Sequence, residues 1–275
     1  VLAVPFLFFT KSLQPDSSLA WVPPLGARFF IAGDTLSFYL TKLLLPFHLV
    51  PDYGRTPGMV EQRGFIYWTW ILALGVWIGI WRIRKNHPIL CGVILSWGLS
   101  LIPVLGWVCF DYQRISTVAD RYLYFSVFFW AFGLGAFCLE NGRKALFLFS
   151  IYLLVMGAIS FQQISIWKNN FTVFNRTLQV NPQSFVAHNN LGIYYLNHED
   201  PEKAIEHLEH SVRILPLAEP LTNLGVAMER QGRFVEAIRY HERALALLPN
   251  NPVIQKNLLN AQINAKAKLS KDRLD

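Results

Sequence analysis

Cysteine is scarce in this chain: Cys91, Cys109 and Cys138 are the three among 275 residues, and all lie inside apolar stretches. Cysteines so placed are small buried hydrophobes, which excludes a disulfide framework and a cysteine metal site. Charge is scarce as well. Asp, Glu, Lys and Arg make up 16% of the chain, where a soluble domain carries about a quarter. No basic leader precedes the opening VLAVPFLFF, so that stretch reads as the tail of an apolar span and not as a signal peptide; the chain is expected to begin inside a larger protein, a non-standard start codon at Val1 being the alternative. Nor is there a basic stripe interleaved with aromatics. The net charge of +7 is dispersed over separate loops, which excludes nucleic acid as a partner.

What is present is apolar surface, unevenly spread. Hydrophobic residues are 53% and aromatics 15% of the chain, and the mean hydropathy is +0.29, too apolar for an ordinary soluble domain and too polar for a chain that is all membrane. Before Trp167 there are 12 basic and 7 acidic residues, after it 13 and 11 in a much shorter stretch. This shift divides the chain into residues 1–167, a helical membrane domain, and residues 168–275, a soluble one.

In the first part, a proline- and serine-rich loop containing Trp21 leads to an apolar helix over Arg28 to Val50, where Asp34, Ser37 and Thr41 share a face that must meet protein or a water-filled cavity and not lipid. Whether this helix spans the bilayer is left open by its composition. A polar loop over Pro51 to Gly64 is followed by spans over Phe65 to Trp81, Pro88 to Phe110 (with Pro103 accommodated inside), Tyr122 to Leu139 and Ala145 to Trp167. The basic knot Arg82, Arg84 and Lys85 and the tight turn ENGRK, with Arg143 and Lys144, mark cytoplasmic loops. Alternation then puts Pro51 to Gly64, Asp111 to Arg121 and everything after Trp167 on the periplasmic or lumenal side.

The second part repeats itself. Asn190-Leu191-Gly192 recurs at Asn223-Leu224-Gly225, Ala204-Ile205 at Ala237-Ile238 and Pro216 at Pro249, each 33 residues on. This pattern resembles the tetratricopeptide repeat, in which small residues sit where paired helices cross and proline closes each unit. A half-repeat over Trp167 to Val180, ending at Asn181-Pro182, comes first, with the last membrane span as its expected partner helix. A polar helix from Pro252, carrying Lys266, Lys268, Lys271 and Arg273, resembles a cap. The expected fold class is all-α: a polytopic helical membrane domain followed by a short tetratricopeptide-repeat solenoid.

Leu45-Pro46 followed by Pro51-Asp52-Tyr53, then Pro103-Val104-Leu105-Gly106, then Asp120-Arg121-Tyr122-Leu123-Tyr124 and a Trp167-led entry into repeats together resemble the C-terminal part of the transmembrane and tetratricopeptide-repeat-containing O-mannosyltransferases and their bacterial relatives. The family usually has Glu where Asp120 stands. The resemblance implies a polytopic C-type (GT-C) glycosyltransferase that takes its sugar from a polyprenyl- or dolichyl-phosphate donor, with the catalytic carboxylates in an early extracytoplasmic loop that nothing in this chain matches. No other cofactor and no metal are implied.

Two site expectations follow. In the loop Asp111 to Tyr124, Arg114 and Arg121 offer donors for the donor phosphate, with Asp120 orienting Arg121 and Tyr124 alongside; Asp120 as a helix cap, Arg121 snorkelling and an interfacial aromatic belt are the plainer alternatives. In the repeats, Asn190, Asn223 and Asn257 occupy equivalent positions, so their amides are expected to hold the backbone of an extended acceptor polypeptide, with Glu229 and Arg230 next to them, or else to tie helix to helix. The expected partners are membrane lipid and a polypeptide. The alternative to an enzyme is a non-catalytic membrane-anchored repeat scaffold.

Overall fold

The structure is a computed structural model. It describes residues 23–62, 64, 66–107 and 111–271, with the side chains of 66, 111, 114 and 271 excepted; Trp21, Cys109 and Arg273, on which expectations were placed, lie outside the described residues. Among the described residues there is helix and no strand. The chain divides into two compact units, Val1–Ser165 and Ile166–Asp275.

The first unit is built from α1 (Leu25–Leu44), a short α2 (Pro57–Gln62), α3 (Ile66–Ile83), α4 (Pro88–Leu101) and α5 (Leu123–Ile164), with 3-10 turns at Ile102–Val104, Asp111–Arg114 and Asp120–Tyr122. Pro103 does not sit inside a span as expected. The helix stops at Leu101 because proline has no N–H to continue the ladder and its ring crowds the carbonyl four residues back. Gly142 breaks α5 inside the expected ENGRK turn, with φ 69° and ψ −157°, a conformation glycine adopts without penalty. Asp120, at one end of α5, meets Tyr53, and Gln163 Nε2, at the other, donates to the Pro46 carbonyl at 2.5 Å. Both ends therefore lie at one pole of the unit, and Gly142 turns the chain back at the other.

The core of this unit gathers Tyr39, Leu40, Leu43, Trp97, Leu101, Val118 and Leu123. Close helix approach relies on small residues: a Cβ on Gly133 of α5 would lie 2.4 Å from Val93 of α4, and one on Gly33 of α1 would lie 2.6 Å from Trp70 of α3. The outside is apolar, with Trp68 73%, Phe161 75% and Leu139 88% exposed. Among the described residues one helical stretch, Asp120–Ile164, broken at Gly142, is long and apolar enough to cross a membrane, and 6% of its most apolar window is buried, unlike the core helix of a soluble protein. Tyr67–Ile83 and Pro88–Val104 are shorter apolar helices.

The second unit continues through a 3-10 turn (Ile166–Lys168), α6 (Asn170–Val180), α7 (Phe185–Asn197), α8 (Pro201–Ile214), α9 (Ala218–Arg230), α10 (Phe234–Leu247) and α11 (Pro252–Lys271). Its boundaries follow from local chemistry. Asn169 and Thr172 form a reciprocal capping box, Ser184 accepts from the Ala187 N–H at 3.0 Å and Asp200 from the Lys203 N–H at 3.2 Å; each satisfies N–H groups that the first helical turn leaves unpaired. Pro201 and Pro252 open α8 and α11, where a missing N–H costs nothing. Within the pairs α7–α8 and α9–α10, Leu191, Ala204, Leu208, Leu224 and Ala237 are fully buried, each such leucine contributing about 2–3 kcal/mol of apolar burial. The repeated glycines mark the crossings: a Cβ on Gly192 would lie 2.4 Å from Leu208, and one on Gly225 2.5 Å from the His241 ring.

Candidate functional sites

In the first unit the polar residues of α1 meet the two loops at the Asp120 pole. Asp34, 2% exposed, pairs with the Arg55 guanidinium and accepts from Thr69 Oγ1 at 2.7 Å. One turn on, Ser37 Oγ donates to the Thr69 carbonyl at 2.7 Å and accepts from the Ala73 N–H at 3.2 Å. The expected polar face thus turns toward protein, and with Thr41, Arg55 and Trp68 it borders a cavity of about 330 Å³. A buried carboxylate in so apolar a surrounding needs this pairing.

The loop over Asp111 to Tyr124 is clipped to its neighbours by backbone and tyrosine contacts. Tyr39, fully buried, accepts from the Ala119 N–H at 3.0 Å, Tyr112 donates to the Pro51 carbonyl at 2.8 Å, and the Thr117 N–H donates to the Arg55 carbonyl at 2.7 Å. Asp120, expected to orient Arg121, accepts the Tyr53 hydroxyl, 2.8 Å from both carboxylate oxygens. The Lys42 ammonium sits over the Tyr53 ring at 4.9 Å. Arg121 lies instead on aromatic faces, 4.1 Å from the Tyr112 centroid and 5.1 Å from that of Tyr122. Tyr124 is 79% exposed. Arg114 closes the 3-10 turn Asp111–Arg114, and its side chain lies outside the described residues. Sequence reasoning passed over Lys42, Arg55 and Tyr39. The signal that would have found Arg55 is electrostatic: a carboxylate predicted to face inward at Asp34 demands a cation, and Arg55 lies in the next loop.

In the second unit the asparagines form a chain from helix to helix. Asn223 Nδ2 on α9 donates to Asn189 Oδ1 on α7 at 2.9 Å, and Asn189 Nδ2 donates to Glu219 Oε1 at 3.0 Å. Asn190 Nδ2 donates to the Val186 carbonyl of its own helix at 2.8 Å. Asn257 is half-buried on α11. Asn189, 4% exposed, was not singled out from the sequence, although it stands beside Asn190 and one position further from the repeated leucine. Glu229 meets His241 Nε2 at 2.8 Å, and the Arg230 guanidinium donates to the Leu196 carbonyl. The contacts of Asn223, Asn189, Glu229 and Arg230 each tie one helix to another. The Asn190 and Asn223 amides each keep a second N–H, beyond the one so engaged, with which to meet a ligand.

Between α7 and α8 lies a histidine cluster that the sequence did not suggest. His188 Nε2 faces the Pro182 carbonyl at 3.3 Å, which only accepts, so that nitrogen carries the proton. His188 Nδ1 is then the acceptor for His207 Nδ1–H at 3.1 Å. The His210 ring stacks on His188 at 4.9 Å. Burial, and then the neighbouring His207, push the His188 imidazole down to about 4, with His210 adding and Pro182 and Glu206 opposing; burial lowers His207 as well. Among the described residues no group of three or more side chains is assembled to hold a metal.

Comparison with known protein families gives two matches, both to models described as tetratricopeptide repeat, over residues 218–251 and 173–206. The first covers α9 and α10, and the second begins in α6, so the half-repeat takes part in the pattern. The chain thus carries tetratricopeptide repeats, which point to protein partners and protein–protein interaction. A search of curated proteins found no match.

Proposed function

We propose that the chain is a membrane-anchored polypeptide-binding protein, in which the first unit lies in the bilayer as a polytopic helical domain and the repeats hold an extended segment of a protein partner. The observation that carries this reading is the row of amides on the first helix of successive repeats. Tetratricopeptide arrays present those helices on one continuous surface, and amides there can meet a peptide backbone without reading its side chains. The exposed apolar flanks of α3 and α5 support the bilayer placement, and the basic loops at Arg82 to Lys85 and Arg143 to Lys144, read as cytoplasmic, favour a periplasmic or lumenal side for the repeats.

The test separates ligand contact from helix tying. Asn190→Ala and Asn257→Ala are expected to weaken binding of an extended peptide while the melting temperature of the repeats holds. Asn223→Ala, which also removes the donor to Asn189, should cost about 1 to 3 kcal/mol of stability besides. Wild-type peptide affinity in the Asn190/Asn257 double variant would sink the groove.

A second reading, favoured by the buried Asp34–Arg55 pair and the Tyr53–Asp120 contact, is that the chain is the C-terminal portion of a glycosyltransferase moving sugar from a polyprenyl- or dolichyl-phosphate donor to the polypeptide held by the repeats. Ionisable groups inside an apolar unit are costly, and an inert anchor has no need of them. In this reading Arg114 and Arg121 hold the donor phosphate, and the Asp120–Tyr53 bond fixes the loop that carries them.

A further inference from the structure

The end of the first unit opposite Asp120 carries a second feature that neither reading uses. Where Gly142 turns the chain, the two halves of α5 leave between them an open crevice of about 670 Å³, walled by Phe132, Leu139, Leu146 and Phe149, floored by Ala136 and edged by Arg143. Nothing fills its floor at Gly135: a Cβ added there meets no atom within 4 Å. The volume falls in the range of small-molecule sites.

Basic residues stand near this end of the unit. His87 Nδ1 lies 3.6 Å from Glu140, which brings the loop of Arg82, Arg84 and Lys85 beside that of Arg143 and Lys144. The two loops thus carry five basic residues against one carboxylate, Glu140, which faces His87. The Arg84 guanidinium is stacked on Trp81 at 3.6 Å, an arrangement suited to the boundary between headgroups and hydrocarbon.

We propose that this crevice is a binding site for an anionic phospholipid, its acyl chain lying along the apolar walls and its phosphate held by Arg143 and Lys144. The proposal rests on the bilayer placement given above. A cationic rim around an apolar slot favours an acidic headgroup over a neutral one, as basic pockets between membrane helices on the cytoplasmic side do. The same charges disfavour a second copy of the chain, because a two-fold contact would set one basic rim against the other.

The experiment uses the full chain purified in mild detergent and offered an equimolar mixture of phosphatidylglycerol and phosphatidylcholine, with retained lipid read by native mass spectrometry. The wild type should retain phosphatidylglycerol in at least ten-fold preference. Arg143→Gln and Lys144→Gln should each reduce that preference roughly five-fold, and Gly135→Leu, which fills the slot and leaves the rim intact, should reduce retention of both lipids. Arg213→Gln, in the other unit, serves as the charge control and should change neither. Equal retention of the two lipids, a preference unchanged by the rim variants, or a lipid-free dimer broken by Gly135→Leu overturns the proposal. Alkaline carbonate treatment of membranes keeps the two failures apart: a chain that resists extraction but shows no lipid preference sinks this site alone, whereas an extracted chain sinks the bilayer placement.

Discussion

Acid should loosen the first repeat before the second, through His188. In the folded chain its Nε2 proton is held by the Pro182 carbonyl and its Nδ1 accepts from His207, so an added proton would set two N–H groups against each other across 3.1 Å. Its folded value, about 4, lies below the ordinary 6.5. Above pH 6.5 the folded and unfolded forms are both neutral, and the residue adds no pH dependence. As the pH falls through 6.5 the unfolded chain takes up a proton that the folded chain refuses, so stability declines with a slope of up to about 1.4 kcal/mol per pH unit. The decline stops near pH 4, where the folded imidazole is protonated too. The gap between the two values corresponds to a total of about 3 kcal/mol, and with 9% of the residue exposed about 1 to 3 kcal/mol is the expected loss. Hydrogen exchange of the α7 and α8 amides, corrected for intrinsic rates and compared at pH 7.5, 6 and 5, reads it directly, because local opening reports local stability. His188→Asn, which keeps an acceptor near Nδ1 without titrating, should flatten the profile. Protection of α7 and α8 that is no lower at pH 5 than at pH 7.5, or that falls equally in the asparagine variant, would refute the reasoning.

Two further outcomes are expected. Asp34→Ala leaves the Arg55 guanidinium without its buried carboxylate and should destabilise the first unit by about 3 kcal/mol or more, seen as a lower melting temperature in detergent, with Asp34→Asn milder; a melting temperature equal to the parent's would show the pair to be dispensable. Ser270→Cys, on the exposed end of α11, should react with a membrane-impermeant thiol reagent on intact cells or correctly oriented vesicles, and protection until the membrane is opened would reverse the topology.

The repeats were legible in the sequence because their physics is local and recurrent. Leu191-Gly192 and Leu224-Gly225 are spaced by one unit, proline follows each second helix, and small residues fall where helices cross, so periodicity alone marks α7 to α10. The break at Gly142 was legible for the same reason, since a glycine inside a short charged stretch between two apolar runs can only be a turn. The inward face of α1 followed from helical spacing, because a carboxylate cannot face lipid. What spacing could not supply was partnership across the chain. That Asp34 meets Arg55, that Asp120 meets Tyr53 and not Arg121, and that Asn223 reaches back to Asn189 depend on which elements lie side by side. The two basic loops read as separate knots in the sequence; the His87–Glu140 contact brings them to the same end of the unit, where Arg143 edges an apolar crevice. Pairing of this kind is set by packing between residues distant in the chain, and only the tertiary structure decides it.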